Sequence, residues 1–226
     1  MRFVTWRNLC VGLLLLFVFP AGAWAIPAIT CHCFTDRSYD PGRPTGADPY
    51  FLATTQNAFF AAVFGVEKKS IVVKKQQGAA ADDLWIAYWF AAQSGVDPEK
   101  LMQERKDKGS WRPVATSLTM PGERLTAALK TEVSDEELAV AVVDELLLRF
   151  RLHGKEELAG LRQAGATSQE MILAALISAK SRQPVKQFYQ QIREGGTSWG
   201  ELLQRARIDP AKIQVEMATL VQKSVT

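Results

Sequence analysis

The sequence feature that most constrains the fold is a 22-residue phrase that recurs in weakened form along the chain. The clearest copy, residues 186–207, reads KQFYQQIREGGTSWGELLQRAR and predicts a helix, a glycine break, a Thr-Ser cap, a tryptophan and a second helix. A basic residue falls in the last helical turn, where it meets the negative end of the helix dipole. The glycine then stands where a left-handed C-cap is favoured. In each of four copies the base comes three positions before the glycine: Lys75 and Gly78, Lys106 and Gly109, Arg162 and Gly165, Arg193 and Gly196.

The spacing of these glycines predicts an internal duplication. They form two pairs, each 31 residues apart, and the second pair follows the first at an offset of 87 residues. We therefore predict an all-α fold with two helical halves, residues 48–131 and 134–226, stacked like a short α-solenoid in one continuous helical domain. Glycine caps and basic last turns also occur in unrelated amphipathic helical proteins, which is the alternative interpretation.

Two tryptophans share the same place in the predicted repeat. Trp111 and Trp199 are 88 residues apart, and each follows a glycine break at the first turn of a predicted helix. A repeated position most simply serves the packing of the repeat, so we expect each indole to wedge between neighbouring helices. The alternative is a surface anchor for a partner, a role that aromatic residues often have.

Residues 1–25 carry the pattern of a secretory signal peptide. Two arginines form a basic region, an apolar core of 11 residues follows, and Ala23-Trp24-Ala25 matches a cleavage signal. The apolar core is shorter than a membrane-spanning helix requires. We expect cleavage after Ala25, a secreted or periplasmic location, and no transmembrane segment in the mature chain. Cleavage after Ala23 and an uncleaved anchor are the alternatives.

Residues 26–47 are rich in Pro, Gly, Asp and Thr, which predicts an irregular N-terminal arm. We expect this arm to be poorly ordered unless it is bridged or liganded. After cleavage Cys31 and Cys33 are the two remaining cysteines, and an even number in an exported chain indicates a disulfide. The small ring that such a bridge closes is strained, and a strained bridge is easily reduced. Inert thiols are the remaining alternative.

The same cysteines also form a candidate metal site. Cys31, His32 and Cys33 offer two thiolates and an imidazole, which are ligands that suit copper(I) or zinc. Side chains of an extended segment alternate between two faces, so His32 points away from the two cysteines and a further ligand is needed. Asp36 and His153 are the candidates for that ligand.

The net charge of the predicted mature chain does not favour nucleic acid as a partner. Without the two arginines of residues 1–25, the 27 basic residues fall to 25 against 24 acidic residues, which leaves a net charge of +1. That balance gives no electrostatic reason to expect nucleic acid as a partner. The most basic segment contains Lys68, Lys69, Lys74 and Lys75, and we interpret it as a solvated face rather than a binding patch.

The sequence lacks the motifs of common enzymes. It contains no phosphate loop, no dinucleotide-binding glycine pattern, no His-Glu-x-x-His and no nucleophile elbow. We therefore expect a non-enzymatic, exported helical-repeat protein without a cofactor, which binds an unidentified partner or serves as an envelope scaffold. The alternative is a thiol redox or metal-handling protein that acts through Cys31, His32 and Cys33 with copper or zinc.

Overall fold

Eleven α-helices build the part of the chain that the structure, a computed structural model, describes: residues 34–118 and 133–225. These residues contain no β-strand, so the all-α prediction is confirmed. A short 3-10 turn, Pro210–Lys212, precedes the last helix. The helices are α1 Asp48–Phe64, α2 Lys68–Gln76, α3 Ala81–Ser94, α4 Pro98–Lys108, α5 Trp111–Thr116, α6 Asp135–Arg149, α7 Lys155–Gln163, α8 Ser168–Ser181, α9 Val185–Arg193, α10 Trp199–Arg205 and α11 Ile213–Val225.

The start positions of the first five helices recur in the next five. Helices α1 to α5 begin at residues 48, 68, 81, 98 and 111, and helices α6 to α10 begin at residues 135, 155, 168, 185 and 199. Each start therefore lies 87 or 88 residues after its counterpart. Positions about 87 residues apart therefore correspond, and they pair α1 with α6, α2 with α7, α3 with α8, α4 with α9 and α5 with α10.

Helix α1 lies at the centre of the packing. It contacts α2 and α3, which follow it directly, and it packs most extensively against α8 and α11 near the other end of the chain. Helix α3 packs against α6 in turn. Thus the third helix of each set of five rests on the first helix of the other set. Units of an open solenoid contact only their sequence neighbours, whereas here the first and the last of the described helices, α1 and α11, pack together.

Aromatic side chains from α1 and α3 fill much of the core. The rings of Phe60 and Trp85 are 4.6 Å apart between centroids, and Phe59 lies 6.0 Å from Trp85. Phe59 and Phe60 are fully or almost fully buried, as is Trp85. Buried aromatic groups of this size dominate the energetics of a core, and here they join α1 to α3.

The predicted glycine caps are observed at three of the four positions. Gly78, Gly109 and Gly165 have φ angles of +96°, +82° and +87°, in the left-handed region. At the fourth position the prediction of Gly196 is wrong by one residue, because the left-handed residue is Gly195 with φ of +69°. Helix α9 ends at its cation Arg193, whereas α7 extends one residue beyond Arg162, and Gly196 donates its N–H to the carbonyl of Gln191 across the helix end.

The described part of the N-terminal arm, residues 34–47, is irregular but makes specific contacts. Arg43 donates two hydrogen bonds to Asp36, of 3.1 and 2.9 Å. The ring of Phe34 packs edge-on against Tyr50 of α1 at 5.8 Å. The ion pair shapes the segment itself, and the ring contact joins it to α1. The expectation of poor order depends on the state of Cys31 and Cys33, which lie outside the described residues, so it stays a prediction.

Candidate functional site

The two repeated tryptophans lie at the junction between the two sets of helices. Trp111 and Trp199 are 0% and 2% exposed. The backbone N–H of Trp111 donates to the Asp135 carboxylate at 3.1 Å, and that of Trp199 donates to the Asp48 carboxylate at 3.1 Å. Asp48 is the first residue of α1, and its carboxylate caps α10 rather than its own helix. The burial of Trp111 and Trp199 favours the packing role predicted for both indoles over a surface role.

Two clefts occupy corresponding places in the two sets of helices. The first cleft lies between the end of α2, the start of α3 and α4, and has a volume of about 520 Å³. The second cleft lies between α7 and α9, and has a volume of about 840 Å³. Both are within the size range of ligand sites in proteins. The second is lined by Glu156, Glu157, Gly160, Leu161, Gln163, Ala164, Pro184, Lys186, Tyr189, Gln190, Arg193 and Glu194.

An ion pair distinguishes the two clefts. In the first, Lys74 of α2 forms an ion pair with Glu99 of α4, and this pair joins the two walls. The residues 87 positions later are Leu161 and Lys186, which cannot form such a pair. The second cleft therefore lacks this bridge between its walls and is the larger of the two.

The floor of the second cleft is apolar and rigid. Leu161 and Tyr189 are buried, with 4% and 5% exposure. The hydroxyl of Tyr189 donates to the carbonyl of Ala164 at 2.9 Å, which ties α9 to the end of α7. Because the polar tip of the tyrosine is satisfied, the ring presents mainly its apolar surface to the cleft.

Charged residues form the rim of the second cleft. Three carboxylates, those of Glu156, Glu157 and Glu194, stand with the two cations of Lys186 and Arg193. The lining includes no cysteine, serine, threonine or histidine, but Lys186, Tyr189 and the three carboxylates are side chains of types that can act in catalysis. An apolar floor with a mixed, slightly acidic rim can accept an apolar group that lies next to a cation.

A second arrangement of interest joins α1 and α2. Lys68 donates to the hydroxyl of Thr54 at 2.9 Å, and Lys75 donates to the side-chain oxygen of Asn57 at 2.7 Å. Burial lowers the pKa of Lys68, and it lowers the pKa of Lys75 to about 8 against the opposing influence of the Asp82 carboxylate. Strongly perturbed lysines of this kind are found disproportionately at functional sites.

The interpretation of the basic segment as a solvated face is thus wrong for two of its lysines. Lys68 and Lys75 are half-buried against α1, while Lys69 is exposed. The two lysines are seven residues apart, and Ile71 between them is fully buried. Seven residues make about two helical turns, so this spacing is the sequence signal that places all three on one face.

The candidate metal and disulfide residues Cys31, His32 and Cys33 lie outside the described residues. Of the two candidate further ligands, Asp36 is bound to Arg43. His153 is buried, with Nε2 3.0 Å from the carbonyl of Met171 and Nδ1 3.1 Å from Glu157. Within residues 34–118 and 133–225, no group of three or more His, Cys, Asp or Glu side chains could hold a metal ion.

No helix among the described residues is both long enough and apolar enough to cross a membrane. Comparison of the chain with protein-family models, with curated proteins and with solved structures finds no match.

Proposed function

We propose that the protein is an exported, non-enzymatic binding module built from two tandem helical units, and that the second cleft is its ligand site. The observation that carries this proposal is the difference between the two clefts. The first is bridged by Lys74 and Glu99, whereas the second is unbridged, larger and floored by Leu161 and Tyr189.

The tandem units are supported by agreement at several levels. Helix starts recur at offsets of 87 or 88 residues, and the left-handed glycines Gly78 and Gly165 recur at 87. The reciprocal contacts of α3 with α6 and of α8 with α1 are those expected when two like units pair face to face, as subunits do across a two-fold axis. Duplication followed by divergence explains why one cleft is bridged and the other is not.

The occupant that fits the second cleft is a peptide segment of an envelope protein with an apolar anchor next to a basic residue. The apolar floor accepts the anchor, since burying one large apolar side chain contributes about 1.5–3 kcal/mol. The rim has three carboxylates against two cations, so a basic neighbour is the better electrostatic match. Export of the chain is inferred from the signal pattern of residues 1–25.

Gly160 allows a sharp test of this site. It lies on α7 in the cleft lining, and a Cβ added there meets no atom within 4 Å. Gly160→Trp should therefore fill the cleft without disturbing the fold. Ala159→Trp, at the exposed neighbouring position outside the cleft lining, is the matched control.

The experiment selects peptides from a displayed random library on the purified wild-type chain and measures their affinity by fluorescence anisotropy. We expect selected peptides to share a large apolar residue next to Lys or Arg. They should bind the Ala159→Trp variant normally and the Gly160→Trp variant at least about tenfold more weakly, the loss equivalent to 1.4 kcal/mol. Peptides that bind both variants equally, or a selection that enriches nothing, would refute the assignment of the cleft.

A further inference from the structure

The half-buried lysines of α2 form a pair of cations that face neutral groups. Thr54 and Asn57, which accept from Lys68 and Lys75, are three residues apart on α1 and so are neighbours on one helix face. The two ammonium groups therefore bond to acceptors within one turn of α1. Within the described residues neither of them forms an ion pair.

The neighbouring lysine shows what a counter-charge does in the same helix. Lys74 pairs with Glu99, and this hydrogen bond raises the pKa of Lys74. For Lys68 and Lys75 burial lowers the pKa instead, because each ammonium is removed from water without a bonded carboxylate. Among the described residues, no carboxylate bonds to either ammonium group, although the charge of Asp82 acts on Lys75.

The second set of helices has a carboxylate at the corresponding place. The positions 87 residues after Asn57 and Lys75 are Asp144 and Arg162. Arg162 and Asp144 form an ion pair with an N–O distance of 2.6 Å. Where α6 meets α7, the cation Arg162 thus has a carboxylate partner. Where α1 meets α2, the corresponding cation Lys75 has the amide of Asn57 instead.

We propose that Lys68 and Lys75, with Thr54 and Asn57, form an anion-binding site that takes the oxyanion group of a ligand, a carboxylate or a phosphate. The bound oxygen atoms would occupy the role that Asp144 fills for Arg162 in the second unit. Lysine is a common binder of such groups as a compact point charge. This site lies between α1 and α2, apart from the second cleft. The proposal does not depend on whether the second cleft binds a peptide.

One carboxylate on a neighbouring helix opposes an incoming anion. Asp82 at the start of α3 acts on Lys75 through its charge, and burial raises the pKa of Asp82. Asp83 and Glu136 interact with Asp82 in the same region. Removal of the Asp82 charge should strengthen anion binding, since like charges repel across a half-buried site.

The test titrates the purified chain with sodium phosphate, and in a second arm with sodium acetate, each against sodium chloride at equal ionic strength. The readouts are the NMR pKa of the Lys75 ammonium group and the thermal unfolding midpoint. We expect at least one of the two anions to raise both in a saturable way, because a ligand that binds only the folded state stabilises it. The stronger arm identifies the ligand group as phosphate or carboxylate.

Four variants locate the effect. Asn57→Asp places a carboxylate of the protein itself in the site, and Lys75→Met removes a cation, so each should weaken anion binding at least about tenfold. Asp82→Asn should tighten it, and Lys69→Met, on the exposed face of α2, should leave it unchanged. An effect that chloride reproduces, or one that survives in both Asn57→Asp and Lys75→Met, would overturn the proposal.

Discussion

The carboxylate of Asp48 accepts the backbone N–H groups of Trp199 and Gly200, at 3.1 and 2.9 Å, across 151 residues of sequence. Asp48 is at the start of α1, and the two donors are at the start of α10. The corresponding contact joins Asp135, at the start of α6, to Trp111 at the start of α5. Each set of helices thus caps a helix of the other, which satisfies backbone donors that a helix leaves unpaired at its start.

Trp111 and Trp199 should each be essential for stability. Replacement of either indole by alanine should lower the free energy of unfolding by ~3–5 kcal/mol, the range for truncation of a large buried aromatic side chain. The Trp111 variant also loses the 2.6 Å hydrogen bond from its indole N–H to Asp83. Urea unfolding of the two single variants measures the effect, and wild-type midpoints for both would contradict the packing role.

Gly200 should tolerate no side chain. A Cβ at this position would lie 2.9 Å from ring carbons of both Phe51 and Tyr39, closer than real Cβ contacts. Gly200→Ala should therefore lower the free energy of unfolding by about 1–3 kcal/mol, as overpacking in a filled core does.

Gly160→Ala is the matched control for that variant, because a Cβ there meets nothing within 4 Å. This substitution should raise the free energy of unfolding by about 0.4–1 kcal/mol through reduced entropy of the unfolded chain. Equal effects of the two substitutions in thermal unfolding would show that Tyr39 and Phe51 do not pack on Gly200 as described.

Lys75 should make stability depend on alkaline pH. Its pKa is about 8 in the folded chain against 10.5 for an ordinary lysine. Between these values the unfolded chain binds the additional proton, so the free energy of unfolding rises with pH across this window. The free energy of unfolding rises by on the order of 3 kcal/mol across this window. Below pH 8 the lysine is charged in the folded chain, and its burial destabilises the fold.

Lys75→Met should remove this alkaline rise and stabilise the chain at neutral pH. Lys69→Met, on the exposed side of the same helix, should retain the wild-type profile. Urea unfolding at several pH values between 7 and 11 gives the comparison. A wild-type profile in the Lys75→Met variant would mean that another group titrates.

The motif of Cys31, His32 and Cys33 makes a separate prediction that distinguishes the two functional hypotheses. A disulfide predicts no reactive thiol in the purified mature chain before reduction, and a loaded site predicts stoichiometric copper or zinc by elemental analysis. Two stable free thiols without metal would argue against both a bridge and a loaded site.

The leader pattern predicts the first residue of the mature protein. Cleavage after Ala25 leaves Ile26 at the N-terminus, followed by Pro27. N-terminal sequencing of protein recovered from the envelope or the medium of an expressing bacterium identifies the site. A chain that begins with Gly22 or Trp24, or that retains residues 1–25, would contradict this cleavage site.

Local chemistry in the sequence predicted most of the helices and few of their contacts. The Ser134 capping box with Glu137 and the caps at Gly78 and Gly165 were predictable, because all of their hydrogen bonds join residues close in sequence. The Asp48 cap was not predictable, because its donors lie on α10. The bridged and unbridged clefts likewise depend on how two helices that are distant in sequence approach each other.

The same limit explains the wrong interpretation of Lys75. Four lysines within one short segment normally indicate solvent exposure, and only the packing of α1 decides which of them is covered. In the second unit Arg162 stands at the corresponding position with an acidic partner on α6. Local composition does not distinguish Lys75 from the lysines around it. The corresponding residue Arg162 bonds to a carboxylate, whereas Lys75 bonds to an amide, and this difference marks Lys75 as unusual.

The cap between Asp48 and Trp199 also sets an order of events during synthesis. When α1 leaves the ribosome, the helix that its aspartate caps has not yet been made, and neither have α8 and α11, its most extensive contacts. The part of α1 that α8 and α11 cover therefore stays exposed until nearly the whole of the described chain has been translated. A nascent chain of this kind needs protection from aggregation for most of its time on the ribosome.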